Sequence, residues 1–167
     1  MTELRNLQGT CVALQPLCEA HAAALFPVLS DAELWLFMDG GPPTSEAALA
    51  ERYRRLESRR SPDSSQHWLN WTIVVANEVV GFVQATVTNE AADIAYVIGR
   101  EYQSRGHAAD AVRAMLAFLE GKFGVRTEHA TVDTRNEPSR RLLERLNFEL
   151  VNGDDPQNLR FLRKLRP

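Results

Sequence analysis

The chain predicts a mixed α/β (α+β) fold, with a central and mostly antiparallel sheet and helices on both faces. Three observations lead there. Helical periods occur early and late in the chain, a block rich in β-branched and aromatic residues fills its middle, and strands and helices lack the regular alternation of a doubly wound fold. No internal repeat is visible. With 167 residues the chain suits one domain spanning positions 1–167, long enough to bury a real core.

The elements follow in order. Residues 9–16 alternate loosely and stop at Pro16, a first strand. Residues 19–29 have helical spacing, with Ala22, Leu25, Phe26 and Leu29 on one face. After Trp35, Leu36, Phe37 and Met38 comes a break at residues 39–43. A second helix is predicted over residues 45–60, capped by Thr44 or Ser45 and apolar at Ala48, Leu49, Tyr53 and Leu56.

Residues 68–75 and 79–88 then predict an antiparallel hairpin around a tight turn at Ala76, Asn77 and Glu78. Residues 93–98 continue the meander, and 99–105 form a polar connection. Helical spacing returns over residues 107–120, with Ala108, Val112, Met115, Leu116 and Leu119 on the apolar side and Gly121 and Gly124 as stop signals. Residues 126–132 read as a strand. Pro138 suits the first turn of a last helix that buries Leu142, Leu143 and Leu146, and Asn147 suits its left-handed C-cap. Residues 148–151 and 159–165 are the last strands, with a turn at residues 152–156 between them. The charges and Pro167 of the final strand resemble edge protection, yet a homodimer across this part of the sheet stays open.

Composition excludes several classes of function. With 19 basic and 22 acidic residues the net charge is -3, so no general field attracts nucleic acid. Arg59 with Arg60, and residues 160–166, remain local basic clusters of the kind that is usually a solvated face. No apolar run is long enough to span a bilayer, and the first residues lack the basic start of a signal peptide, so a cytoplasmic protein is expected. Cys11 and Cys18 are too few for a disulfide framework and have no partners at metal-ligand spacing, so no metal site is expected.

The most informative segment is residues 96–109. It places a strand, a polar turn with Gly106 and a helix in sequence. Such a turn can aim backbone N–H groups at a phosphate while the helix start supplies a favourable dipole end. Gly106 permits close backbone approach, and Ala108 keeps the first helical turn small. A strand-loop-helix junction with one glycine also has a purely structural explanation.

Gln103-Ser104-Arg105-Gly106-His107-Ala108 resembles the (Gln or Arg)-x-x-Gly-x-(Gly or Ala) pyrophosphate loop of the GCN5-related N-acetyltransferase (GNAT) superfamily. Residues 134–148, with Asn136, Ser139, Glu144, Arg145 and Phe148, resemble the later Asn-x-x-Ser... Glu-(Lys or Arg)-x-Gly-Phe segment. Together with the element order, the likeness covers essentially the whole chain. The most similar branch contains the ribosomal-protein N-terminal alanine acetyltransferases and many small-molecule acetyltransferases.

The resemblance implies a small acyltransferase that takes acetyl-CoA as cosubstrate. Ile98 is then the strand residue whose backbone pairs with the pantetheine arm. Gln103, Ser104, Arg105, Gly106, His107 and Ala108 hold the pyrophosphate, Arg105 meeting a phosphate directly or pointing into solvent, and His107 acting as a first-turn contact instead of a base. Asn136 bonds the cofactor arm or simply caps its helix, and the helix bearing Ser139 packs along CoA.

Acetyl transfer needs a neutral amine and a polarised carbonyl, and holding both reactants together removes a large entropic cost. Direct attack in a ternary complex is expected. Neither cysteine lies near a predicted cofactor strand with a base partner, which leaves a covalent acetyl-enzyme without support. Glu90 and Asp93 are the candidate proton acceptors, with Glu78 less persuasive, and each also reads as a solvated turn residue. Tyr96 supplies an acid or a substrate hydrogen bond, or else packs in the core.

Many relatives carry a tyrosine that protonates the thiolate at the position of Leu143, which has no proton to give. For the acceptor, Trp35, Phe37, Trp68 and Trp71 either line an opening or fill the helix-sheet junction. Asp31, Glu33 and Asp39 either attract a cationic amine or face water. The expected acceptor is a small amine, with a peptide or ribosomal-protein N-terminus as the alternative. A noncatalytic CoA-binding protein is the rival class.

Overall fold

The computed structural model describes residues 3–151 and 153–165. Its strands are β1 (Leu7–Gln8), β2 (Ala13–Pro16), β3 (His67–Val75), β4 (Glu78–Thr88), β5 (Ala91–Ile98), β6 (Thr127–Asp133), β7 (Glu149–Val151) and β8 (Asn158–Lys164). They form one eight-stranded sheet in the order β1-β2-β3-β4-β5-β6-β8-β7. Every neighbouring pair is antiparallel except β5 with β6. The helices are α1 (Ala22–Leu29), α2 (Glu46–Leu56), α3 (His107–Phe118) and α4 (Glu137–Arg145).

Strand alternation sorts the core into two layers. Leu69, Trp71 and Ile73 of β3, Val83 and Ala85 of β4, and Ala92 and Ile94 of β5 pack with Met115 and Leu116 of α3 and Leu142 and Leu143 of α4. On the opposite face Leu25, Leu29, Leu49 and Tyr53 of α1 and α2 pack over Val97. The expected helices on both faces are present. Among the described residues no helix is long and apolar enough to cross a membrane.

Local signals explain several boundaries. The Ser45 hydroxyl accepts the Ala48 N–H at 3.0 Å and caps α2. Ala76 (φ 48°) and Asn77 (φ 67°) form the two-residue turn that suits the twist of a hairpin. Asn147 is left-handed at φ 65°, as its place after α4 requires.

Other boundaries differ from the sequence reading. The first strand divides into β1 and β2, because residues 9–12 turn, with the Gly9 N–H donating to the Val12 carbonyl at 2.8 Å. The second helix stops at Leu56, and Arg59 is left-handed at φ 58°. Past α3 the chain makes a wide π-type turn, Leu119–Phe123, which contains Gly121, so Gly124 (φ 66°) alone provides the stop. The final strand is not an edge: β8 lies between β6 and β7, and β7 is outermost. Asn152 of the expected turn, and Arg166 and Pro167 of the expected edge protection, lie outside the described residues.

One long-range clamp joins the N-terminal hairpin to α3. Asp110, 6% exposed, accepts the N–H groups of Thr10 (2.9 Å), Cys11 (2.8 Å) and Val12 (3.1 Å). A Cβ on Gly9 would lie 2.5 Å from a carboxylate oxygen of Asp110, so glycine is required for this approach. Burial pushes the Asp110 carboxyl up, but the hydrogen bonds from Cys11, Thr10 and Val12 outweigh it and leave its pKa lowered. Asp110→Ala is expected to cost about 3 kcal/mol by orphaning these donors, which corresponds to a drop in Tm of roughly 6–12 °C. The difference from wild type should hold above roughly pH 4 and shrink as the pH falls through the lowered folded-state value. Thermal melts of both proteins from pH 3 to 8 measure it; a difference that grows in acid contradicts the clamp.

Candidate active site

The site grows from the one parallel junction in the sheet. β5 and β6 pair only at Ala91 with Thr127, Ala92 with Glu128, and Asp93 with His129. Beyond that point β5 continues to Ile98 alongside β4, and β6 continues to Asp133 alongside β8. The Gly99 N–H donates to the Val80 carbonyl at 2.7 Å, and a Cβ on Gly81 would lie 2.1 Å from the Val97 carbonyl oxygen. The odd-numbered end of β5 therefore turns its polar backbone groups toward β4. By alternation, the N–H and C=O groups of Tyr96 and Ile98 face the gap, where no strand pairs with them.

At the open end of this gap lies the loop singled out in the sequence. A short 3-10 turn, Arg100–Tyr102, leads into Gln103, and the Gln103 side-chain amide donates to the Ile98 carbonyl at 3.0 Å. Gln103 thus braces the loop against the end of β5, and its side chain is not aimed outward at a phosphate. Ser104 (φ 60°) and Gly106 (φ 81°) are both left-handed, and Ser104, Arg105 and Gly106 are exposed. Nothing lies within 4 Å of a Cβ built on Gly106, so the space above it is open. Closely spaced left-handed residues before a helix turn successive N–H groups to one side, a cradle suited to an anion. The first intrahelical bond runs from the Asp110 N–H to Gly106, which leaves the amides of His107, Ala108 and Ala109 at the helix start. Ala108 is half-buried against the core. The donors and open space fit a pyrophosphate.

Cys11 corrects the sequence reading. It sits beside the loop that precedes α3, with Sγ 3.5 Å from His107 Nδ1 and its thiol donating to Asp110 at 3.3 Å. Burial, then the hydrogen bond to Asp110 and its charge, push the Cys11 thiol up. A protonated thiol bound to a carboxylate is a poor nucleophile, so the proximity does not revive an acetyl-enzyme.

Across the gap, Asn136 caps α4, with its side-chain oxygen accepting the Ser139 N–H at 3.3 Å. Of the two readings of Asn136, capping is thus realised, and its amide nitrogen remains a donor. The Tyr96 hydroxyl lies 2.6 Å from Ser139 Oγ and bridges β5 to α4. Burial pushes the Tyr96 phenol up to about 12, against the smaller lowering effect of the Ser139 hydrogen bond. Tyr96 is therefore a protonated donor at neutral pH. Leu143 is fully buried and serves packing.

Asp93 and Tyr96 fall on opposite faces of β5, because three residues separate them and alternation has a period of two. Asp93 and Ala95 are exposed although β5 is an inner strand, so the α1-α2 face is uncovered there. One row across this face runs Trp68, Thr86, Asp93, His129, Leu162. Glu90 lies in the β4-β5 turn, where its carbonyl accepts the Arg126 and Thr127 N–H groups at 2.8 and 3.1 Å. That is about 10 Å along the strand from Asp93, away from the gap. Glu78 accepts a hydrogen bond from the Tyr102 hydroxyl.

The expected acceptor opening is rearranged. Trp71 is fully buried on the α3-α4 face, its indole N–H donating to the Arg5 carbonyl at 3.1 Å, so it lines no opening. Trp68 is half-buried on the α1-α2 face, with its N–H on Gln66. The Trp35 N–H is held by the Leu29 carbonyl at 2.9 Å. Arg100 pairs with Asp31 at 2.6 Å and with Glu33, which removes both acids as free attractors of an amine. Arg135, held by Asp133 at 2.8 Å, lies over the Phe37 ring at 5.4 Å. Residues 31–38 are thereby tied to the segments that follow both diverging strands. No group of three or more metal-ligating side chains occurs among the described residues.

The fold has counterparts among solved structures. The acetyltransferase (GNAT family) from Bacillus anthracis superposes with a TM-score of 0.79 at 14% identity, covering 95% of this chain and 98% of that one. RimL, a ribosomal alpha-N-protein acetyltransferase solved in complex with coenzyme A, gives 0.79 at 19% identity, covering 93% and 95%. An acetyl transfer enzyme from Salmonella typhimurium that modifies the N-terminal serine of a 50S ribosomal subunit protein gives 0.77 at 20%, covering 94% and 96%. At these identities the likeness is one of fold. No curated protein matches the chain significantly. The sequence itself matches the acetyltransferase (GNAT) domain family over residues 12–149, a stretch that contains the loop, the gap and both strands that line it, and the chain belongs to that family.

Proposed function

We propose that the protein, acting as one domain, is an acetyl-CoA-dependent N-acetyltransferase that works by direct attack in a ternary complex. The observation that carries this reading is the junction of two features: the exposed left-handed loop at the start of α3, and the unpaired β5 backbone that leads from it toward Asp93. Acetyl-CoA supplies the thioester that the amine attacks. The loop amides and Arg105 hold the pyrophosphate, and the Tyr96 backbone groups and the Ile98 N–H, with the Asn136 amide, orient the arm, the Ile98 carbonyl being taken by Gln103. As the new C–N bond forms and the C–S bond breaks, Asp93 takes the amine proton directly or through water. The Tyr96 phenol donates a hydrogen bond to the departing sulfur, a role that Leu143 cannot fill.

The open face and the pairing of Asp31 and Glu33 with Arg100 favour an extended acceptor, such as a peptide N-terminus, over a small amine. The two ribosomal-protein acetyltransferases of similar fold are in keeping with this. Against a noncatalytic role, Trp71 is packed in the α3-α4 core, and Trp68, in the row of Asp93, stands two strands away from it on β3.

Release of CoA thiol, followed across a panel of peptide and small-molecule amines, tests the reading. Wild-type protein should turn over at least one peptide amine, and Tyr96→Phe should lower kcat about 10-fold with acetyl-CoA affinity unchanged. Thiol release that is independent of every amine would defeat the assignment. An unchanged kcat in the Phe variant would remove Tyr96 from the mechanism.

A further inference from the structure

The acceptor face carries a charge pattern that acetyl transfer itself does not require. We propose that the acceptor bears a carboxylate as well as the reactive amine, and that Arg160 recognises this carboxylate. The inference rests on the proposed transferase reading and names the substrate class of that site.

Arg160 on β8 pairs in register with Thr131, stands on the same face as Asp93 and His129, and is exposed. Among the described residues it forms no ion pair, whereas Arg100 and Arg135 at the nearby strand ends are both matched to acids. Its guanidinium reaches His129 Nδ1 at 3.4 Å, which directs it along the floor toward β5. Arginine only donates, so Nδ1 accepts, and the neutral ring carries its proton on Nε2. Burial and then the Arg160 charge lower the His129 pKa, with Asp93 opposing them, so the ring is neutral near pH 7. His129 thus fixes the direction of Arg160 without cancelling its charge.

Two acids stand diagonal to Arg160: Glu149 on β7, opposite Leu162 and joined to Arg160 by no salt bridge, and Asp133 on β6, which is held by Arg135. Asp93 and Arg160 therefore present opposite charges on strands two positions apart, about 10 Å between backbones. An amine near Asp93 and a carboxylate one or two peptide units away match this span, at roughly 3.3–3.6 Å per residue with the side chains closing the rest.

The test compares the full chain with Arg160→Gln and Arg160→Lys, measuring kcat/KM by CoA thiol release. Acceptors are C-terminally amidated Ala-Glu and Ala-Gln dipeptides, so that only the glutamate member carries a carboxylate, and amidated ten-residue peptides that begin with the same pairs and are otherwise free of acids. Wild type should prefer the acidic member by about 10-fold at low salt, less as salt rises. R160Q should abolish the preference by slowing only the acidic member, and R160K should keep part of it. A preference with dipeptides marks a small acceptor, and one with the longer peptides alone marks a polypeptide; both support the carboxylate. Equal rates for both members in wild type, or a loss in R160Q shared by both, overturns the proposal and leaves acetyl transfer standing. Transfer to no amine at all defeats the transferase reading, and this inference with it.

Discussion

Gly106→Val is expected to weaken acetyl-CoA binding by at least about 100-fold, equivalent to roughly 2.7 kcal/mol, while the protein stays folded. At φ 81° the backbone is in a region that glycine enters freely and a β-branched residue avoids. The loop must relax to another conformation, which scatters the amides that the cradle aligns. The new side chain also occupies the open space above the loop where phosphate oxygens would approach. Because no described residue lies within 4 Å of that Cβ, the substitution should lower Tm by only a few degrees. Gly81 makes the contrast, since a Cβ there meets the Val97 carbonyl and would damage the β4-β5 pairing itself. Calorimetric titration and a thermal melt separate loss of the cradle from loss of the fold. Unchanged affinity in a folded variant would remove the loop from the cofactor site.

Asp93→Asn carries the second large effect, a fall in kcat of about 100- to 1,000-fold with acetyl-CoA affinity intact. The carboxylate sits where β5 and β6 part, on the uncovered face of the sheet. From Ile98 back to Asp93 is about 16 Å of strand, a length that an extended pantetheine arm covers from the loop. Glu90 fails this test of place, because it lies beyond the last parallel pair in a turn that faces away from the gap. Asp93 is exposed, so the isosteric amide leaves folding alone, and the melt serves as a control. Steady-state kinetics at saturating acetyl-CoA measure the effect. A change of only a few-fold would mean that solvent, or another residue, takes the proton.

Much of this arrangement is legible before folding, because it rests on local chemistry. The hairpin turn at Ala76 and Asn77, the Ser45 cap, the left-handed Asn147 and the strand-loop-helix order around Gly106 each follow from residues adjacent in sequence. Strand parity is equally local. Leu69, Trp71 and Ile73 alternate with Trp68, Asn70 and Thr72, which places Trp71 inside and Trp68 on the polar face. The same parity separates Asp93 from Tyr96.

The rest depends on contacts with no local signal. Asp110 holds residues 10–12 from about a hundred positions away, and Tyr96 meets Ser139 across the gap. Arg100 takes Asp31 and Glu33 out of the acceptor field, and Arg160 meets His129, only once the sheet is assembled. The divergence of β5 from β6 is likewise a property of the sheet, since each strand alone reads as regular.

The most direct test is calorimetric titration of wild-type protein with acetyl-CoA. Saturable one-site binding in the micromolar to sub-millimolar range, lost in Gly106→Val, is the predicted result. No binding heat at millimolar acetyl-CoA from well-folded wild-type protein would contradict the account and leave only the shared fold.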